Sequence, residues 1–272
     1  MTTTAAQAGY APVHGLNMYY EIHGEGQPLV LLHGGFGLTG MFSEIMPLLA
    51  ANRQVIAVDL QGHGRTADID RPLSLEAMGD DVAALITYLG FDKADVMGFS
   101  MGGGAALRTA IQHPELVNKL VLVSFPFKRD GWYPEMVAGM QQMNASALEF
   151  MKNTPIYANY IAVAPNPDHF AALCDKMGAM MRGDYDWGTE VTELNMPVLL
   201  VYGDADGAPP SHAAQFFELL GGGKRDGSWD NSGMSKSQLA ILPGITHYTI
   251  FSSPALAAAV TPFLDAPMPG AN

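Results

Sequence analysis

The chain has 272 residues, of which 48% are hydrophobic and 15% are charged, so it can bury the core of one large domain or of two small ones. A formal net charge of −13, with only 14 Lys and Arg side chains, argues against binding to nucleic acid or to an anionic membrane, because both carry negative charge. No apolar run approaches the ~18 residues that span a bilayer, which argues against a transmembrane segment.

Up to residue 124, short apolar runs alternate with helical patterns, which is typical of an α/β fold with a mainly parallel sheet. Ser74 is a suitable N-cap for the first of two helices and Gly90 a suitable stop, while Pro114 ends the second. The strands are predicted at 16–22, 28–32, 54–58, 94–97 and 119–123, and the helices at 74–89 and 102–113.

From 125 to 195 this alternation is interrupted. The segment has no clear strand and places apolar residues, several of them methionines, at helical spacing. We therefore predict one core domain built from 1–124 and 196–272, with 125–195 as a helical insertion. After the insertion, strands are predicted at 197–202 and 239–242, helices at 211–220 and 253–264, and a loop rich in Gly, Ser and Asp at 221–237.

The cysteine and histidine content bears on the compartment and on metals. Cys174 is the only cysteine, so no intrachain disulfide can form, which suits a reducing cytoplasm. The start, MTTTAAQAG, lacks the basic and apolar regions of a signal peptide, so we expect a cytoplasmic location. The eight histidines form no HExxH pair, so no metal site is predicted.

One serine, Ser100, stands among glycines in ADVMGFSMGGG (94–104), between a predicted strand and a predicted helix. Gly-x-Ser-x-Gly in this context is typical of a nucleophile elbow, a sharp turn that lifts the serine hydroxyl into solvent. Side chains at Gly98 and Gly102 would collide with neighbouring backbone in such a turn. A serine that only caps the helix is the alternative, and the flanking strand and helix favour the nucleophile.

A serine hydroxyl needs a base to act as a nucleophile. His247 follows the last predicted strand, at the edge of a parallel sheet where such side chains gather. The acid that orients this base can be Asp204 or Asp206, which both follow the strand predicted at 197–202. Either choice gives the chain order serine, acid, histidine that is typical of a nucleophile elbow fold.

A substrate carbonyl oxygen that becomes negatively charged needs amide donors. One is predicted at Met101, the residue after Ser100, and the other in the loop HGGFG (33–37), whose glycines allow backbone to approach a ligand. His33 and His63 lie in glycine-rich loops and are expected to hold the loops in shape by bonding to backbone.

In family order, these segments resemble the motifs of the α/β-hydrolase superfamily, in its branch of esterases and C–C hydrolases with a helical cap. The resemblance spans about residues 12–265 and rests on HGGFG, DLQGHGRT, GFSMGG, GDADGAPP and PGITH. It implies an α/β-hydrolase fold with a cap inserted after the sixth strand, and a triad of Ser100, Asp206 and His247. The family's spacing between a glycine, the acid and a proline selects Asp206 over Asp204.

The resemblance also implies Gly35 as the second oxyanion amide and Phe36 as a residue that faces the acyl group of a substrate. The expected reaction is hydrolysis of small to medium carboxylic esters or lactones through an acyl-enzyme on Ser100, without a cofactor or a metal. Haloalkane dehalogenases and epoxide hydrolases of similar fold carry aspartate at this position, so Ser100 argues against both chemistries.

Other readings keep the same site. C–C bond hydrolysis of a vinylogous diketone and perhydrolysis both use Ser100. A ligand receptor with little turnover is the alternative from another class, and the complete set of Ser100, Asp206 and His247 disfavours it. The expected partner is therefore a small molecule, and the oligomeric state is left open.

Overall fold

An eight-stranded, mainly parallel sheet forms the centre of the computed structural model, which describes residues 7–268. The strands are β1 (Gln7–Val13), β2 (Leu16–His23), β3 (Gln27–Leu32), β4 (Arg53–Val58), β5 (Ala94–Phe99), β6 (Val117–Val123), β7 (Val198–Ala205) and β8 (Gln238–Thr246). Their order across the sheet is β1-β2-β4-β3-β5-β6-β7-β8. The pairs β1–β2 and β2–β4 are antiparallel and the others are parallel, which confirms the predicted architecture.

Helices cover both faces of the sheet. They are α1 (Met46–Leu49), α2 (Leu75–Tyr88), α3 (Met101–Gln112), α4 (Pro134–Gln142), α5 (Leu148–Met151), α6 (Pro155–Val163), α7 (Phe170–Arg182), α8 (Pro210–Leu219) and α9 (Pro254–Asp265). Single 3-10 turns lie at Thr39–Phe42, Arg129–Gly131, Ala145–Ala147, Pro167–His169, Glu190–Glu193 and Ile250–Ser252. As predicted, the Ser74 hydroxyl caps α2 by accepting from the amide of Ala77 at 3.1 Å.

Two hydrophobic clusters form the core because successive side chains of a strand point to opposite faces. In β3, Val30 and Leu32 belong to the cluster under α2, α3 and α8, whereas Leu29 and Leu31 belong to the cluster under α1 and α9. All four side chains are buried, as a strand covered on both faces requires.

The segment between β6 and β7 consists of helices, turns and one isolated bridge that joins Lys128 to Asp186. It follows the sixth strand, where the helical insertion was predicted. Its longest helix, α7, buries Phe170, Leu173 and Met177 in the first cluster. Lys176 also fastens α7 to the core, with its ammonium 2.6 Å from Asp68 and 2.7 Å from the carbonyl of Ile69.

Strand β1 is absent from the sequence prediction, which began the sheet at residue 16. It pairs with β2 through a two-residue turn at His14 and Gly15, both of which have positive φ. Gly9 and Pro12 interrupt the apolar pattern of β1, and an edge strand tolerates both. Residues 1–6 and 269–272 lie outside the described residues, so most of the segment on which the signal-peptide prediction rests, and both outer ends of the predicted core domain, are not covered.

Among the helices of residues 7–268, none has the length and the apolar character that crossing a bilayer requires.

Candidate active site

Ser100 occupies a strained turn between β5 and α3. Its backbone has φ 52° and ψ −121°, a region that non-glycine residues rarely adopt. A Cβ at Gly98 would overlap the carbonyl of Gly102, and a Cβ at Gly102 would overlap the carbonyl of Leu32. These contacts confirm the predicted reason for both glycines, and Ser100 is partly exposed at the end of the sheet.

Three side chains from separate loops meet in one chain of hydrogen bonds. The Oγ atom of Ser100 lies 3.0 Å from Nε2 of His247, and Nδ1 of His247 lies 2.8 Å from Oδ1 of Asp206. His247 and Asp206 are both buried, at 7% and 6% exposure. A carboxylate on Nδ1 leaves Nε2 free to accept the proton of the serine hydroxyl, which is the arrangement that activates a serine.

The carboxylate of Asp206 accepts from four donors. Oδ1 accepts from His247 and from the amide of Gly207 at 2.6 Å, while Oδ2 accepts from the hydroxyl of Ser124 at 2.5 Å and from the amide of Gly203 at 3.0 Å. Burial acts to raise the pKa of Asp206, but the bond and charge of His247, followed by Ser124 and Gly203, outweigh it and hold that pKa below its ordinary value. Asp206 is therefore an anion that can stabilise a protonated His247.

Asp204 lies elsewhere than its sequence position suggested. Strand β7 continues to Ala205, so Asp204 belongs to the strand and not to the loop after it. Its exposed carboxylate accepts from the amide of Gly244 in β8 at 2.8 Å, at the point where the ladder between β7 and β8 shifts register. Asp204 thus braces the edge strand, and the structure brings Asp206 to His247.

The predicted oxyanion amides belong to two segments that pack against each other. Met101 is the first residue of α3, so its amide has no acceptor within the helix. Gly35 lies in the loop after β3, where a Cβ at the neighbouring Gly34 would touch Cβ of Ser100 at 3.4 Å. Both predicted donors therefore belong to backbone that adjoins the serine.

Apolar side chains of the insertion and the core surround this point. A Cβ at Gly35 would meet the methyl group of Met177 at 2.8 Å, so α7 lies directly on the loop after β3. The ring of Trp132 stands edge-on to His247 with 5.6 Å between centroids, and Phe99 lies 5.1 Å from the same ring. Phe36, predicted to contact substrate, has φ 58° and packs 5.9 Å from Phe170 of α7.

His33 and His63 bond to backbone, as predicted. Nδ1 of His33 donates to the carbonyl of Gly34 at 2.7 Å, and its Nε2 accepts from the amide of Leu60 at 3.1 Å. Nδ1 of His63 donates to the carbonyl of Gln61 at 2.8 Å. Burial lowers the pKa of His33 to about 3 and that of His63 to about 4, so both rings stay neutral and structural.

Besides His247, Ser124 is the one side chain of residues 7–268 that hydrogen bonds to Asp206, and the sequence analysis missed it. It follows the apolar run of β6 directly, so it ends at the same sheet edge as Ser100 and Asp206. The one signal in the sequence was that Ser124 directly follows a buried strand, where site residues gather. A single serine without neighbouring glycines did not indicate a role by itself.

The family model of the α/β-hydrolase fold matches residues 27–224, which is more than half of the chain. The chain belongs to the α/β-hydrolase fold family. The predicted fold class and the resemblance to the superfamily are thereby confirmed, and the chain is a hydrolase of the α/β fold.

Curated relatives differ in the reaction that their names give. The chain is 31% identical over 221 residues to the pimeloyl-[acyl-carrier protein] methyl ester esterase of Aeromonas hydrophila subsp. hydrophila, covering 72% of this chain and 83% of that protein. It is 26% identical over 263 residues to the 2-hydroxy-6-oxo-6-(2'-aminophenyl)hexa-2,4-dienoic acid hydrolase of Metapseudomonas resinovorans, covering 88% and 84%. Two other relatives match over shorter stretches, and there the chain spans 42% and 46% of their length.

Among solved structures, an esterase from Thermogutta terrifontis superposes with a TM-score of 0.72 at 21% identity, covering 95% of this chain and 98% of that one. At this identity the likeness concerns the fold alone.

Proposed function

We propose that this chain is a serine hydrolase that cleaves small to medium carboxylic esters or lactones through an acyl-enzyme on Ser100. The observation that carries the proposal is the continuous set of hydrogen bonds from Ser100 through His247 to Asp206. The strained backbone of Ser100 costs free energy, and such strain is concentrated at functional sites. Its place beside a histidine and a buried carboxylate therefore supports a catalytic role.

The geometry supports a two-step reaction. His247 accepts the hydroxyl proton at Nε2 while Oγ of Ser100 forms a bond to the carbonyl carbon, and the amides of Gly35 and Met101 stabilise the oxyanion. The proton then passes from Nε2 to the leaving oxygen, and the alcohol departs. Water attacks the acyl-enzyme with His247 as base, which releases the carboxylic acid and restores Ser100. Asp206 remains ionised and orients Nδ1 throughout.

The surroundings favour an apolar acyl group. Phe99 and Trp132 pack beside His247, and Met177 lies over the loop after β3; none of these three side chains carries a charge. Methionine and aromatic walls accommodate apolar groups of varied shape. We propose that the insertion, residues 125–195, acts as the cap over this site and selects the substrate.

C–C bond hydrolysis is the second candidate, because one relative that aligns with 88% of the chain is named as the hydrolase of a 2-hydroxy-6-oxo dienoic acid, a compound without an ester bond. The substrate in that name is a dienoic acid, whose carboxylate would need a cationic or polar partner in the site. The apolar contacts around His247 favour the ester.

The test combines turnover with labelling. The wild type is expected to hydrolyse p-nitrophenyl acetate and butyrate, and a phosphonate is expected to label Ser100 in peptide mass mapping. Ser100→Ala is expected to keep the fold by circular dichroism and to lose turnover on the order of a millionfold. Ser74→Ala, which removes a helix cap far from the site, is the matched control and is expected to retain full turnover.

Two results would overturn the proposal. One is an Ser100→Ala variant whose ester turnover stays within about tenfold of the wild type, where a working triad loses orders of magnitude more. The other is a phosphonate adduct on a residue other than Ser100.

A further inference from the structure

Ser124 lies between the strand that carries the nucleophile and the strand that carries the acid. It follows β6 directly, its amide donates to the carbonyl of Val201 in β7 at 2.9 Å, and the carbonyl of the preceding Val123 accepts from the amide of Ser100 at 2.9 Å. The side chain is completely buried. Ser124 is therefore fixed by its backbone relative to both Ser100 and the end of β7.

The backbone of Ser124 is strained. Its φ of 56° lies in the left-handed region, which costs any residue with a Cβ some free energy. A glycine would remove this cost, yet the chain has a serine here. A strained residue in a buried position suggests that its side chain is needed.

The hydroxyl of Ser124 has a defined partner. It donates to Oδ2 of Asp206 at 2.5 Å, on the side of the carboxylate opposite to the oxygen that faces His247. Besides His247, it is the one side-chain donor to this carboxylate among residues 7–268, and the other two donors are amides of residues close to Asp206 in sequence. The hydroxyl thus connects the acid to a different strand. Because the acceptor is an ionised carboxylate, the hydrogen bond is charge-assisted.

We propose that Ser124 is a positioning residue, whose hydroxyl fixes the carboxylate of Asp206 so that one oxygen stays directed at His247. The inference rests on the proposed function, since it assigns Ser124 a role only if Asp206 and His247 act on Ser100. No proton leaves Ser124; its hydroxyl donates a hydrogen bond and remains neutral throughout the reaction.

The kinetic test compares two variants of Ser124 in the wild-type background and one of them in the Asp206→Asn background. Ser124→Ala and Ser124→Gly are each expected to lower kcat on p-nitrophenyl butyrate about tenfold to a hundredfold with little change in KM, which is the scale of one hydrogen bond to a charged group. Ser124→Gly also relieves the positive φ, so a loss of activity in this variant cannot be ascribed to backbone strain. Ser74→Ala is the matched serine control and is expected to keep wild-type kcat.

The Asp206→Asn background separates positioning from a general loss of structure. There, adding Ser124→Ala is expected to change kcat by less than about threefold, because residues that act through one another are not additive. A loss of equal size in both backgrounds, or a folded Ser124→Gly variant with wild-type kcat, would overturn the role of Ser124.

A proton NMR measurement keeps the two proposals distinguishable. The Nδ1 proton of His247, assigned by its loss in Asp206→Asn, is expected to shift or broaden in Ser124→Ala, since the carboxylate that it faces is no longer fixed. If this resonance is unchanged in the folded variant, the positioning role is wrong. If the resonance changes but the wild type hydrolyses no ester, Ser124 does position Asp206 and the proposed ester reaction is wrong.

Discussion

At the scale of single residues, Asp204 and Asp206 offer a sharp comparison, because two carboxylates of the same segment have different partners. Asp206 bonds to His247, whereas Asp204 bonds to the amide of Gly244. We expect Asp206→Asn to lower kcat by about 10⁴, the loss that an amide causes in a serine triad when it favours the wrong histidine tautomer. Asp204→Asn is expected to lower kcat less than about tenfold, since it only weakens one surface hydrogen bond.

The measurement is kcat for both variants on one ester, with circular dichroism as the control for folding. A folded Asp204→Asn variant that is more impaired than Asp206→Asn would contradict the assignment of the acid.

A site residue was predictable from the sequence where its partners are close to it along the chain, and not where they are distant. Ser100 was predictable because its glycines are neighbours in the chain and each meets backbone that a Cβ would overlap. Asp206 was separable from Asp204 through the family's spacing, because both carboxylates follow the same predicted strand and differ by only two positions. Ser124 was not predictable, because its role depends on a partner 82 residues away.

At the scale of elements, helix α8 packs against the start of the segment between β6 and β7 through His212. The imidazole is buried and stacks on Phe127 with 4.5 Å between centroids. Burial, reinforced by the charge of Lys128 and opposed by that of Asp186, lowers the pKa of His212 from 6.5 to about 4. The contact between α8 and this segment therefore contains a ring that stays neutral down to about pH 4.

This lowered pKa predicts a loss of stability in acid. The unfolded chain takes up a proton on this residue near pH 6.5 and the folded chain only near pH 4, so the contribution is complete above pH 6.5 and is lost as the pH falls towards 4. The free energy of unfolding is expected to fall by about 1–3 kcal/mol through this group. His212→Gln should flatten the pH dependence in urea unfolding between these values, whereas the exposed His169→Gln should not. Equal slopes for His212→Gln and wild type would refute the prediction.

Helix and strand boundaries were predictable where local signals are strong, and less so where tertiary contacts decide them. Ser74 and Gly90 bracket α2 as expected, because a cap and a stop act within a few residues. Strand β1 depends on pairing with β2 and has a weak pattern of its own. The attachment of α7 through Lys176 was equally invisible, since its carbonyl partner at Ile69 is 107 residues away.

At the scale of the whole molecule, the predicted active site and a buried ionic cluster lie at opposite ends of the strands. The active site lies at their carboxyl ends. Near the amino end of β6, Lys119 is 3% exposed, and its ammonium donates to the carbonyls of Phe263 and Leu264 at 3.0 and 2.8 Å and to that of Ala266. Arg53 in β4 pairs with Asp265. These bonds fasten the end of α9 to the sheet.

Stability and activity should therefore respond to different substitutions. Lys119→Met is expected to lower the free energy of unfolding by about 2–4 kcal/mol, since it leaves buried acceptors of α9 without a donor. KM and kcat on an ester are expected to stay within about twofold of wild type, because the reacting groups lie at the other end of the strands and distant sites act independently. Urea unfolding measures the loss of stability and ester kinetics measure KM and kcat, with the exposed Lys93→Met as control. A large loss of kcat in folded Lys119→Met would show that the two ends are coupled.

The three tryptophans differ in exposure, so their fluorescence can be used to observe the active site. Trp229 stands fully exposed in the loop between α8 and β8, Trp187 is buried beside Tyr185, and Trp132 packs against the His247 ring. With Trp229→Phe the fluorescence would come from the two buried indoles alone. Because a protonated imidazole quenches a neighbouring indole, the emission of Trp132 would then report the charge on His247, and an acyl group arriving beside it, without any added label.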